Sequence, residues 1–173
     1  MKWCSWVLIG PRGALPLWVA KESEQNLRGV MMKIGAHVSI SGGIDKAIDR
    51  ALEIGAETIQ IFASSPQVWA FKPPNPSTTA SFVSKASAAS IDPVFLHAIY
   101  LVNLGTQAPD HLNKSIDALT KYMHVAAEIG ASGVIFHVGS HKGAGFAAVF
   151  EQVVKSIGII IDQSPDHVSL VIE

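Results

Sequence analysis

From Met32 onward, short apolar runs alternate with segments whose apolar residues return every three or four positions, and this alternation constrains the fold more than any other feature. The spacing predicts strands over Lys33–Val38, Glu57–Phe62, Pro93–His97, Gly133–His137 and Val168–Glu173. Between them it predicts helices. Ile44, Ala47, Ile48, Ala51 and Leu52 mark the first, which Gly55 should stop. The second runs over Ser77–Ser90 and is opened by Ser77, after a proline-rich loop over Ala63–Pro76. Leu112, Ile116, Leu119, Met123 and Ala126 step by four and three along the third. Phe146, Val149, Phe150, Val153 and Ile157 mark the fourth. Five strands alternating with four helices imply parallel βαβ units. Apolar residues make up 49% of the chain and charged ones 16%, which suits a sheet buried on both faces. An open doubly wound sheet and a (β/α)₈ barrel both fit the alternation, but a barrel needs eight strands and about 250 residues.

The residues at the strand ends favour the barrel. His37, His97, His137 and Glu173 all fall at carboxyl ends of predicted strands, which converge on one face of a barrel, where barrel chemistry takes place. A single histidine is most simply a core or surface residue bonded to a backbone carbonyl. Two imidazoles and a carboxylate on successive strand ends point instead to a metal, because His97, His137 and Glu173 match the two-His-one-carboxylate set of catalytic zinc, with one position left for water. Such an ion lowers the pKa of its water to about 7 and polarises a phosphoryl oxygen.

The run His97-Ala98-Ile99-Tyr100-Leu101-Val102-Asn103-Leu104-Gly105 resembles a motif of the endonuclease IV family of abasic-site DNA repair enzymes. Phe136-His137-Val138-Gly139-Ser140-His141 and Val171-Ile172-Glu173 follow in the family's order, and the likeness covers residues 32–173. It implies a parallel (β/α)₈ TIM barrel, here truncated after about five strands, and a hydrolase that cuts the phosphodiester 5′ to an abasic site and leaves a 3′-hydroxyl. It also implies three Zn²⁺ ions. His97 and His137 would hold one, and Glu173, both ligand and catalytic residue, would bridge it to a second. Double-stranded DNA with abasic sites would be the partner. Tyr100 and Leu101 would be wedge residues entering the base stack at the lesion, where inserted side chains offset the cost of unstacking. Gln67 stands where family members often carry a DNA-probing arginine; it can hydrogen-bond but brings no positive charge to phosphate. His37, in Gly35-Ala36-His37-Val38-Ser39, is expected to support the ligands rather than to bind metal.

Two other readings remain open: a sugar isomerase or epimerase on the related xylose-isomerase-like barrel, for which a wedge such as Tyr100–Leu101 is not required, and a non-catalytic fragment. Residues 1–31 read as an extension outside this fold, expected to be disordered or a mis-assigned start. Lys2 followed by an apolar run hints at a signal peptide, but Pro11, Arg12 and Gly13 interrupt it. A cytoplasmic location is therefore expected. No apolar run reaches the ~20 residues of a membrane span. One cysteine, Cys4, excludes an internal disulfide and a cysteine-rich zinc module. The net charge of −1 gives no global attraction for nucleic acid, so binding would depend on a local patch or on bound metal. The family suggests a monomer. A truncated barrel should leave its first and last parallel strands as open edges, which would make this chain poorly stable, inactive alone and prone to self-association.

Overall fold

The computed structural model describes residues 7–9 and 32–173. Its strands are β1 (Val7–Ile9), β2 (Gly35–His37), β3 (Thr58–Phe62), β4 (Val94–His97), β5 (Gly133–Phe136) and β6 (Ser169–Ile172). The helices are α1 (Lys46–Glu53), α2 (Pro76–Ala88), α3 (Pro109–Glu128) and α4 (Phe146–Asp162). The five strands predicted from the alternation are β2 to β6, and each pairs in parallel with the next in the chain. A doubly wound sheet reverses its strand order at a switch point. Here the order β6-β5-β4-β3-β2 never reverses, so the sheet is an arc of a (β/α)₈ barrel.

Alternation along each strand gives the arc two faces. Ile59, Ile61, Val94, Leu96, Val134, Phe136 and Leu170 point to one face and are buried. There they meet Ala47, Ile48 and Ala51 of α1, Phe82 of α2, Leu119, Met123 and Ala126 of α3 and Ile160 of α4. Thr58, Gln60, Phe95, Ile135 and Val171 point to the concave face and line a cavity of about 520 Å³, which is the barrel interior.

Helix ends follow local chemistry. Gly55 takes a positive φ of 68°, letting the backbone turn out of α1 while the Ala56 N–H bonds the Ala51 carbonyl at 2.9 Å. The reading that Ser77 opens α2 is corrected: Asn75 is the cap, its side chain accepting the Ser77 N–H at 2.9 Å, with Pro76 as the first helical residue. Proline fits there because the first-turn N–H it lacks would have no helical partner.

The expectation that the last parallel strand is an open edge is also corrected. β1 pairs antiparallel with β6, with Val7 opposite Ile172 and Ile9 opposite Leu170. The rest of the proposed extension, residues 1–6 and 10–31, lies outside the described residues. At the other end of the arc, β2 pairs only with β3 among the described residues. Among those residues no helix is long and apolar enough to cross a membrane.

Candidate metal centre

Register determines how the strand-end residues meet. His97 pairs with Ile135, and Ile135 with Val171, so these three lie in one layer. His137 and Glu173 lie two residues further along the neighbouring strands, on the same concave side and one layer nearer solvent. The ladder continues to that level, since the Glu173 N–H bonds the Phe136 carbonyl at 3.0 Å. His97 is accordingly the buried floor of the site, at 4% exposure, while His137 and Glu173 form its rim.

The three residues offer acceptor atoms to one small volume. His97 Nδ1 lies 2.7 Å from the Ala98 carbonyl, which can only accept, so Nδ1 carries the proton and donates it. That leaves Nε2 with its lone pair, 3.3 Å from Glu173 Oε2. His137 Nε2 lies 3.8 Å from the same oxygen. A cation placed among these atoms would be within reach of all three. Tetrahedral zinc with bonds near 2.0–2.2 Å holds its ligand atoms about 3.3–3.6 Å apart. All three donor atoms lie within 4.8 Å of one another. The two-imidazole, one-carboxylate donor set fits a transition-metal ion, with separations somewhat wider than in a bound tetrahedron.

The other expected residues surround this cluster. Tyr100 is 57% exposed, on the loop leaving β4. Its ring stacks on His137 at 6.1 Å and lies 5.5 Å from the His97 ring, directly beside the cluster. Leu101 is half-buried and packs against the core. Gln67 is exposed on the loop after β3, next to Pro66, whose carbonyl accepts the Tyr100 N–H at 3.0 Å. His37 stands at the end of β2, its ring 6.1 Å from that of His97, and its Nδ1 accepts from Gln60 Nε2 at 3.0 Å. Burial, and secondarily the nearby His97, push the His37 pKa below its ordinary value.

Two features escaped the reading of the sequence. Phe62 ends β3 between His37 and Tyr100, with ring centroids at 4.5 and 5.6 Å. Its position opposite His97 in the register is the signal that could have found it. Asn103, within the His97–Gly105 run, is the second, and its bonds reach beyond its own loop. Its Oδ1 accepts from both Gly105 N and Ser140 N at 3.0 Å, and its Nδ2 donates to the Ser140 carbonyl at 3.1 Å. It thus joins the loop bearing Tyr100 to the loop that follows His137. Gly139, at φ 102°, makes this approach possible, because a Cβ there would collide with Asn103 Oδ1.

A two-histidine, one-carboxylate cluster at the strand-end mouth of a partial barrel defines a class of protein, and comparison with known proteins identifies the family. The model of the xylose isomerase-like TIM barrel family, AP endonuclease family 2, matches residues 48–173, and the chain belongs to that family. It is 34% identical over 139 residues to a probable endonuclease 4 of Trichlorobacter lovleyi, covering 80% of this chain and 50% of that protein. The crystal structure of endonuclease IV from Thermus thermophilus superposes with a TM-score of 0.68 at 30% identity, over 76% of this chain and 46% of that one. A xylose isomerase domain protein from Planctomyces limnophilus, at 15% identity and a TM-score of 0.58 over 80% of this chain and 53% of that one, shares the fold. The chain spans about half the length of the curated relatives it matches.

Proposed function

We propose that this chain carries the first zinc-binding portion of a DNA-repair endonuclease site, which hydrolyses the phosphodiester 5′ to an abasic site and leaves a 3′-hydroxyl. The observation that carries this reading is the convergence of His97 Nε2, His137 Nε2 and a Glu173 carboxylate oxygen directly beside an exposed tyrosine. Similarity to endonuclease IV supports it. Bound by these three atoms, zinc would supply Lewis acidity toward a phosphoryl oxygen and make water more acidic.

The chain's own residues divide the remaining work. The Ala98 carbonyl holds the His97 ring in the tautomer that offers Nε2. Glu173, within reach of both imidazoles, is the carboxylate that can bridge to a second ion. Tyr100 and Leu101 enter the duplex at the lesion, and Gln67 meets the DNA through hydrogen bonds rather than charge. His37, bonded to Gln60, keeps the side of the pocket next to His97 ordered. With three ions implied for the family and half the relatives' length present, these residues are ligands for only part of the full site. The exposed Tyr100 favours this reading over a sugar isomerase, whose substrate needs no wedge at the rim.

The test is zinc titration by calorimetry, followed by cleavage assays on a duplex with one abasic site. One high-affinity zinc per chain is expected, with His97→Ala and His137→Ala each weakening it by two orders of magnitude or about 3 kcal/mol. Zinc affinity indifferent to both substitutions would remove the basis of the proposal. Zinc binding without cleavage would support the metal site and identify this chain as a non-catalytic fragment.

A further inference from the structure

The two loops that carry the DNA-facing residues share an anchor that takes no part in the metal site. His111, in the first turn of α3, places Nε2 2.7 Å from the Leu101 carbonyl, so Nε2 donates a proton there. The same ring stands edge-on to Trp69, with centroids 5.3 Å apart and planes at 88°. Trp69 lies two residues beyond Gln67 and packs against the core. Farther along the loops, the Tyr100 N–H bonds the Pro66 carbonyl at 3.0 Å. The α3 turn is itself tied in, because Ser115 Oγ bonds the His111 carbonyl at 2.8 Å and accepts the Asn103 N–H at 3.0 Å.

We propose that His111 is a positioning residue which clamps the Gln67 loop and the Tyr100–Leu101 loop to α3, so that they meet DNA as one rigid probe. This assignment rests on the lesion-recognition reading above. A side chain pushed into a base stack must resist the stack, and a loop already ordered spends no binding energy on becoming so. One imidazole achieves this by hydrogen-bonding the backbone of one loop and packing against the aromatic of the other. Its half-buried place on a helix, away from the strand-end cluster, makes it independent of zinc binding.

The experiment uses the full chain with zinc and compares affinities for a duplex carrying one tetrahydrofuran abasic analogue and for the intact duplex. Wild type should prefer the abasic duplex. His111→Ala should reduce that preference about tenfold, or about 1.4 kcal/mol, with zinc affinity unchanged. His111→Gln, which keeps an N–H donor within reach, should restore most of it. In a Trp3→Phe, Trp6→Phe, Trp18→Phe background, acrylamide should quench Trp69 more strongly in His111→Ala than in the parent. Should His111→Ala fail to unfold cooperatively, His111→Leu, which retains bulk against Trp69 without a donor, takes its place. Full preference in the donorless variant, or unchanged Trp69 quenching in His111→Ala, overturns the assignment while leaving the lesion reading intact. A wild-type chain that prefers neither duplex overturns the lesion reading and this assignment together.

Discussion

His97 shows how much one hydrogen bond decides at the scale of a residue. Without the Ala98 carbonyl as acceptor at 2.7 Å, either ring nitrogen could carry the proton; with it, Nε2 is presented to Glu173 and His137. His37 lies beside the same ring and yields a pH prediction. Its folded pKa lies below the ordinary value of 6.5, because burial and the neighbouring His97 disfavour its charged form. The unfolded chain therefore binds more protons at this residue just below pH 6.5, so stability falls as pH drops through that window and recovers as pH rises. Urea unfolding at about pH 5 and about pH 7.5 should show wild type losing more stability on acidification than His37→Gln. An equal loss in both would show that His37 does not carry the effect.

Among the elements, α2 is held least firmly. Phe82 is its single buried residue, and the side of the helix facing α1 is joined by Lys85, whose Nζ lies 2.8 Å from Asp49 and 3.3 Å from Asp45. The Lys85–Asp49 pair is partly open to solvent and contributes little, and the more sheltered Lys85–Asp45 contact is longer, at 3.3 Å, so the aromatic ring carries most of the attachment. Phe82→Ala should cost about 3–5 kcal/mol, and hydrogen exchange should show α2 amides losing protection before those of α3. Uniform loss across the molecule would mean that α2 unfolds only with the whole. α4 gives a contrasting lesson. Its existence was legible in the apolar spacing, but Phe146 and Phe150 proved to be exposed, at 71% and 45%, while Val149 and Ile160 face inward. A stretch this rich in apolar residues specifies a helix and leaves its orientation to the neighbours.

At the scale of the whole molecule, the arc has one edge protected by its own chain. β1 covers β6 with three residues, and an unpaired edge is a template for association. Deleting residues 1–10 should therefore raise concentration-dependent self-association, read by sedimentation velocity across a range of protein concentrations. A deletion variant that sediments as the parent does would show that β1 is not what guards this edge.

Local periodicity and strand-end chemistry were enough to read the succession of strands and helices and the placement of His97, His137 and Glu173 on one face, while the family resemblance pointed to Tyr100 on the loop above them. Each of these depends on residues near one another in the chain, where alternation of two or of 3.6 dictates which way a side chain points. Tertiary structure alone decided the rest. Register set His97 one layer below His137 and Glu173, and the unreversed strand order bore out the barrel that the strand-end residues had already favoured. Pairing of Val7–Ile9 with β6, the bond from Asn103 to Ser140 and the reach of His111 to Leu101 likewise appeared only in three dimensions. These are meetings between elements, specified by sheet curvature and by which backbone groups remain unpaired after the local elements have formed, and no periodicity within a single segment records them.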